Sequence, residues 1–593
     1  MQLPLFLLFA STFLSLAQAK IYEDVSDIPG LDYDFVIVGG GAAGNVVANR
    51  LTENPKFSVL LLEAGVSNEG VIDSIVPFFV NNLLGANIYE WNYTTVPQVG
   101  LNNRSVPYQR AHILGGCTAH NGMVYTRGSA DDYDRYAAVT GDSGWSWDNM
   151  LPYFFKNEKW TPPVDHHDTN GQFDPAVHST NGINSVSLNG FQWPIFQQHV
   201  QQATKELPGD FPFNLDFNSG KMLGVGYLQS TIGGGMRSSS ATSYLAPKFA
   251  ERPNLSVLLH AQVSKLVNPS KTNKGEITFG GVQFLQSGSL YTAKAKNEII
   301  LSAGSVGTPM ILMHSGVGDQ EALKALGIPS VLHLPSVGKN ATDHPIFGGG
   351  TWLVNSTQTV DSIEQNTTRF NEAYAQWNES HSGPFVAIPD THLGWSRLDA
   401  DSEIFESIRD PASGPNAPHI EMAIGTGGGL TATPGNYMTL GMAVLTPTSR
   451  GSVTLQSNNP FDPPLIDLGF FTTEFDIFAA RQAVQHAAKF ASAPTWKNYI
   501  IAPTLDLTNL STDALDDHIR NTAGVAWHLV STASMSARNA TYGVVNPDLL
   551  VKGASGLRVI DASILPFIPT AHTQAASYVV GERGADLVKQ TWE

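Results

Sequence analysis

Two hydrophobic rhythms run along this chain, and the change between them divides it. Near the N-terminus "YDFVIVGGGAAGNVVANRLTENPKFSVLLLEAG" opens with an apolar run from Tyr33 to Val38, the pattern of a strand covered on both faces. A turn with Gly39, Gly41 and Gly44 follows, then a helical pattern to about Glu53, then a second apolar run from Phe57 to Leu62 ending on Glu63. The succession recurs far downstream. "NEIILSAGSVGTPMILMHSGVG" predicts a buried strand over Ile299 to Ser302, a turn at Gly304 and an apolar helix, and "GLRVIDASILPFIPTAHTQAASYVVGERGADLVKQ" predicts a strand ending at Asp561, a proline-broken loop and a helix. Three distant segments therefore return to one core.

From about Gly348 to Leu468 the rhythm shortens to period two. "GTWLVNS", "HLGWSRL", "HIEMAIG", "MTLGMAVLTP" and "GSVTLQS" are short runs punctuated by Gly, Pro and Asn, as in a largely antiparallel sheet. "TEFDIFAARQAVQHAAKFA" then predicts one amphipathic helix with Phe475, Phe478, Val484, Ala487 and Phe490 on its apolar stripe, and His486 as a structural or surface histidine.

Composition narrows the functional classes. The 593 residues carry 52 acidic and 34 basic side chains, a formal charge of -18, which repels a phosphate backbone or an anionic membrane surface, so neither nucleic acid nor membrane is expected as a partner. Residues 1–19, "MQLPLFLLFASTFLSLAQA", read as a signal peptide: an apolar run followed by Ala-Gln-Ala. Nine sequons, at Asn92, Asn103, Asn254, Asn340, Asn355, Asn366, Asn378, Asn509 and Asn539, fit a secreted glycoprotein. The single cysteine, Cys117, excludes an internal disulfide.

The glycine turn sits between strand and helix with an acid at the end of the next strand, which is the arrangement a dinucleotide requires. The glycines let a pyrophosphate approach the helix N-terminus, and Glu63 is placed for the ribose hydroxyls. His528 in "AGVAWHLVSTASM" and His572 in "PTAHTQ" are the candidates for proton chemistry, since an imidazole accepts a hydroxyl proton near neutrality. The "DHHD" at 165–168 is not read as a metal cluster, because adjacent histidines in a polar loop seldom converge on one ion. Trp91, Phe213, Phe217, Phe385 and Trp395 are aromatics that line a cleft or fill the core.

The N-terminal GGGAAGN, the run from Gly304 to Gly318 and the C-terminal histidine pair together resemble the glucose-methanol-choline family of FAD-dependent oxidoreductases over the whole mature chain. The resemblance implies an α/β fold: a Rossmann-like FAD-binding domain assembled from discontinuous segments, and a substrate domain with a largely antiparallel sheet. It divides the chain into 20–345, mainly FAD-binding with a substrate-domain insertion at about 150–230, then 346–520, mainly substrate-binding, then 521–593, FAD-binding with the histidines. It implies that Gly39, Gly41, Gly44, Asn45 and Glu63 hold the ADP half of FAD, that Val263 faces the adenine, and that Asp561 and Thr573, at the helix after His572, face the pyrophosphate and flavin. It makes His528 the base and His572 its partner. Relatives usually carry proline after the base and glycine two residues later, where this chain has Leu529 and Ser531.

"GGCTAHNGMVY" resembles the pattern of members whose FAD is bonded covalently through a histidine, which implies a bond from His120, with Gly116 and Asn121 beside it. Within the family the flanking sequence is most similar to fungal pyranose dehydrogenases and next to aryl-alcohol oxidases. The expectation is a secreted, monomeric enzyme that oxidises free sugars at C2, C3 or C1 and passes electrons to quinones or radicals. Alternatives are a peroxide-forming aryl-alcohol oxidase and a hydroxynitrile lyase, in which bound FAD performs no redox step.

Overall fold

The computed structural model describes residues 21–85, 87–428 and 433–593, so the signal-peptide expectation falls outside the described residues. In the larger sheet the strand Asp32–Val38 pairs in parallel with Val59–Leu62 on one side and Ser289–Leu301 on the other. Leu255–Leu258 and then Ile21–Tyr22 extend it in parallel beyond Val59–Leu62, and Leu557–Val559 pairs in parallel with Ser289–Leu301. Ile300 is the residue in register with both Ile37 and Arg558, so the N-terminal, central and C-terminal segments meet at one level, as their apolar runs predict. Phe35, Val36, Ile37, Val59, Leu60 and Leu61 are fully buried, because the helices Ala42–Leu51 and Gln574–Trp592, which pack on each other, belong to the same core. Gln262–Lys271 and Ile277–Gln286 close this part as an antiparallel meander with Ser289–Leu301.

The second sheet is antiparallel throughout. Its order runs from Ile500–Pro503 through Pro345–Val354, Tyr437–Val444, Ile420–Thr426 and Asp390–Ser396 to Gly224–Tyr227, with Gly524–Val525 also on Pro345–Val354. The helix Glu474–Ala491 packs on its three central strands, and Phe475, Phe478, Val484, Ala487 and Phe490 are buried as the stripe predicts. "GSVTLQS" departs from expectation: Gly451–Thr454 pairs with Lys339–Ala341 and Leu465–Asp467 in a separate three-stranded sheet. Period two identifies a strand, not its partners. Among the described residues no helix is long and apolar enough to cross a membrane.

Alternation on the strand Ile420–Thr426 decides what the second sheet does. Met422 and Ile424 point into the core, while Glu421, Ala423 and Gly425 line a cavity. Gly441 and Ala443 of the next strand and Gly348 beyond it continue the same lining. Small residues on one face of the sheet leave the space that large residues fill on the other.

Candidate active site

The cavity between the two sheets encloses about 910 Å³, large enough for a cofactor together with a small substrate. At its nucleotide end backbone atoms lie close. A Cβ on Gly39 (φ +102°) would fall 2.4 Å from the Ser302 carbonyl oxygen, and one on Gly116 (φ +53°) would fall 2.7 Å from Gly41 Cα. The helix Ala42–Leu51 has no side-chain cap at Gly41, and the helix Gln574–Trp592 has none at Thr573. Two N-termini with unmet N–H groups thus open on the cavity, a fitting seat for a pyrophosphate. Glu63 Oε2 accepts from Gly40 N–H at 2.6 Å and Oε1 from Gly65 N–H at 2.7 Å. Burial raises its pKa, against the pull of those amides, and one lone pair on each oxygen is left for a ribose hydroxyl.

The other expected cofactor residues divide into lining and supporting groups. Val263, at a β-bulge, lines the cavity, as do Gly116, Asn121, Asp561 and Thr573. The carboxylate of Asp561 is already engaged: Gly304 N–H and Thr308 Oγ1 donate to one oxygen at 2.9 and 2.6 Å, and Ser563 N–H to the other at 2.8 Å. It therefore holds the start of the helix Gly304–His314 in place. Gly44 and Asn45 are not among the lining residues. A Cβ on Gly44 would fall 2.0 Å from the Gly39 carbonyl oxygen, so this glycine serves close helix packing, and Asn45 Nδ2 donates to Ser240 Oγ at 2.9 Å. These residues fit FAD by their backbone cradle and anion-seeking helix ends.

At the other end three imidazoles meet. His344 Nε2–H donates to the Leu445 carbonyl at 3.2 Å, and His344 Nδ1 lies 3.0 Å from His528 Nδ1. Burial lowers the His344 pKa to about 3, so its Nδ1 is a bare lone pair and His528 Nδ1–H must donate to it. His528 Nε2 is left as the acceptor. Burial, reinforced by the charge of His572 and by His344 and Arg110, holds the His528 pKa well below its ordinary value. His572, whose ring centroid is 4.8 Å from that of His528, is the opposite. Burial opposes its charge, but Glu421, to which Nε2–H donates at 2.8 Å, and Asp390 outweigh it and raise the pKa. A neutral acceptor and a charged donor stand side by side.

The loop carrying His528 is held by a residue the sequence analysis did not single out. Asp343 Oδ1 accepts from the backbone N–H groups of His528 and His344, both at 2.7 Å, and its Oδ2 accepts from Tyr108 Oη at 2.6 Å. Burial raises its pKa to about 6. Arg110 donates to Tyr108 Oη at 2.9 Å and to the Trp527 carbonyl at 2.6 Å. Ser531 sits at φ +75°, the left-handed region that favours glycine, and its Oγ donates to the Leu565 carbonyl at 2.7 Å. The glycine-type geometry thus persists with a serine.

His120 lines the same cavity, in the turn that begins at Gly115 (φ +98°), and its Nε2 pairs with Glu90. Cys117 Sγ lies 3.6 Å from Arg110 Nη1. Of the aromatic candidates only Trp91 lines the cavity; Phe217, Phe385 and Trp395 are core and Phe213 is exposed. His486 is half-buried and donates to or accepts from Ser396 Oγ at 3.1 Å, away from the cavity lining. Glu421 was legible in "HIEMAIG", where Ile420, Met422 and Ile424 set one face and the acid falls on the other. Asp343 and His344 carried no such periodic signal.

Comparison with known proteins agrees with this architecture. GMC oxidoreductase family models match residues 33–346 and 447–581. The chain is 42% identical to dehydrogenase eriK of Hericium erinaceus, covering 96% of each chain, and 40% identical to a pyranose dehydrogenase of Agaricus campestris, covering 97% of this chain and 96% of that one. A fungal aryl-alcohol oxidase structure superposes with a TM-score of 0.79 at 26% identity, covering 95% of this chain and 100% of that one. The chain belongs to the GMC oxidoreductase family and is an FAD-dependent oxidoreductase acting on CH–OH groups.

Proposed function

We propose that the chain is a secreted sugar dehydrogenase of the pyranose dehydrogenase type, oxidising free pyranoses at C2, C3 or C1 to keto-sugars or lactones and passing electrons to quinones or radicals, such as those from lignocellulose breakdown. The likeness to pyranose dehydrogenases along nearly the whole chain carries the sugar assignment. The Gly39 to Gly44 turn, Glu63 and the helix after Thr573 would hold FAD, whose chemistry when bound would be to provide a hydride acceptor for the substrate carbon. His528 Nε2 takes the hydroxyl proton, its tautomer fixed by His344. His572, charged and oriented by Glu421, donates to the alkoxide as it forms, so the carbon–oxygen bond becomes a carbonyl with the proton on His528.

His120 fits a covalent bond to the flavin 8α carbon: Glu90 holds one ring nitrogen, and Nδ1 makes no hydrogen bond among the described residues. After acid precipitation the yellow colour should stay in the pellet, and His120→Ala should release it. Colour in the wild-type supernatant would exclude the bond. Secretion is supported by eight sequon asparagines that are exposed. Asn254 is an exception, since its Nδ2 donates to the carbonyls of Thr52, Asn54 and Phe57, so a glycan there would break three hydrogen bonds.

The deciding experiment is turnover of glucose and of veratryl alcohol, each with benzoquinone and with air. Glucose should reduce benzoquinone readily with little peroxide in air. The aryl-alcohol oxidase structure keeps a second reading open: rapid peroxide from veratryl alcohol with sugars inert would establish it. A flavin that no alcohol reduces anaerobically would point to a lyase.

A further inference from the structure

The substrate end of the cavity holds a carboxyl that the protein itself does not use. Asp390 begins the strand Asp390–Ser396 and lines the cavity beside Glu421 and His572. Glu421 is committed to His572, but the Asp390 carboxyl makes no hydrogen bond to any described residue. Its backbone is fixed all the same. Asn189 Nδ2 donates to the Asp390 carbonyl at 2.8 Å, and Asp390 pairs with Gly425 just where the register shifts before His392. A bulge of this kind re-aims a side chain. The carboxyl lies over Gly425, where a Cβ would come within 2.4 Å of Asp390 Oδ1; the glycine is what leaves it room.

A half-buried carboxyl that faces the cavity with no protein partner is free to accept a hydrogen bond from whatever occupies the cavity. Burial and the neighbouring Glu421 raise its pKa to about 6, against the pull of His572, which leaves it ionised at neutral pH. Two carboxylates then face one imidazolium at this end of the cavity. Arg110 also lines the cavity, but its guanidinium is committed to Tyr108 Oη and the Trp527 carbonyl and has Asp343 as a neighbouring counter-charge.

We propose that Asp390 is the specificity-determining residue of the substrate subsite: it accepts hydrogen bonds from a hydroxyl or ammonium group neighbouring the oxidised carbon, and it excludes substrates that carry a carboxylate. The substrate class is thereby neutral or cationic polyols and amino sugars, not uronates or aldonates. This deepens the sugar assignment and rests on it for the carbohydrate skeleton, but the charge rule does not depend on the skeleton.

The test uses the FAD-loaded enzyme with glucose, glucosamine and glucuronate as probes, read by anaerobic flavin bleaching and by the half-saturating concentration. Wild type should favour glucose and glucosamine over glucuronate by roughly 10- to 100-fold, the scale of a close like-charge contact in a half-buried site. In Asp390→Asn, glucuronate should gain on glucose by a comparable factor and glucosamine should lose, with KM for glucose rising about tenfold as the carboxylate's hydrogen bond weakens. Asp390→Ser provides the same readout should the asparagine perturb folding, and flavin absorbance verifies the cavity in both. An unchanged glucuronate-to-glucose ratio in both variants would overturn the proposal. If no sugar bleaches the wild-type flavin, the sugar assignment fails by itself. The charge rule is then read with benzyl alcohol, 4-(aminomethyl)benzyl alcohol and 4-(hydroxymethyl)benzoate, where it requires the same order of preference and the same reversal in Asp390→Asn; an unaltered order there overturns it too.

Discussion

The nucleotide end of the cavity is made from backbone and the substrate end from side chains. At the first, Gly39 and Gly116 bring chain to within van der Waals distance of chain, and uncapped helix ends supply N–H groups. At the second, His344, His528, His572, Glu421 and Asp390 come from strands and loops nearly 230 positions apart in sequence and act through charge and tautomer. A backbone site tolerates exchange of most side chains around it but not of its glycines. A side-chain site has the opposite sensitivity, and its proton chemistry can be altered without disturbing the fold.

The sharpest test of that division is His528→Ala. Loss of a positioned base should slow anaerobic flavin reduction by roughly 10² to 10⁴, while FAD stays bound and reoxidation by quinone, which removes no substrate proton, changes little. His572→Ala should also slow reduction, and the double variant should lose less than the product of the two, because both groups act on one transition state. Stopped-flow measurement of the two half-reactions separates them. Near wild-type reduction in His528→Ala would remove it from the base's role.

A smaller effect is expected one residue back from the substrate. His344→Leu removes the acceptor that fixes the His528 proton on Nδ1, so part of the population carries it on Nε2, where no proton can be taken. Reduction should fall by roughly tenfold, with KM little moved, and His344→Gln should recover part of the loss, since a carboxamide both donates to Leu445 and accepts from His528. The pH profile sharpens this reading. His528 must be neutral and its pKa lies well below 6.5, so with Asp390 replaced by Asn the rate at saturating sugar persists as pH falls through 6 and is lost only well below it. His572 must be charged and its pKa is raised, so the rate declines as pH rises through that higher value. An acid limb centred near 6.5 that persists in Asp390→Asn, which removes the carboxyl titrating near 6, would mean that His528 is not held as the structure places it.

The same division explains what could be read from the sequence. Glycine spacing, a strand before it, a helix behind it and Glu63 after the next strand are contiguous, and the physics of a pyrophosphate seat lies in that contiguity. His344 meets His528 across 184 positions, and only the sheet that brings Pro345–Val354 beside Gly524–Val525 creates the contact. Asp561 was assigned to the cofactor by resemblance, yet both of its oxygens are occupied by Gly304, Thr308 and Ser563. Hydrogen-bond saturation of that kind has no sequence signature. Asp390 shows the converse: its missing partner is visible only once the surrounding strands are in place.

The smallest expected effect lies where backbone and side chain share one residue. Ser531 holds a left-handed conformation that costs an L-residue about 1 kcal/mol, and its Oγ hydrogen bond to the Leu565 carbonyl returns a similar amount. Ser531→Gly leaves the Leu565 carbonyl unmet and adds freedom to the unfolded chain but relieves the strain, which offsets part of that loss, so it should cost less than about 2 kcal/mol. Ser531→Ala keeps the strain, loses the hydrogen bond and leaves a buried carbonyl unmet, at a cost of about 1 to 3 kcal/mol. Thermal unfolding of the FAD-loaded protein should therefore rank alanine below glycine, with serine at or near the top. If alanine matches serine while glycine is the least stable, residue 531 does not adopt the left-handed turn, and the loop that presents His528 is built differently from the geometry described.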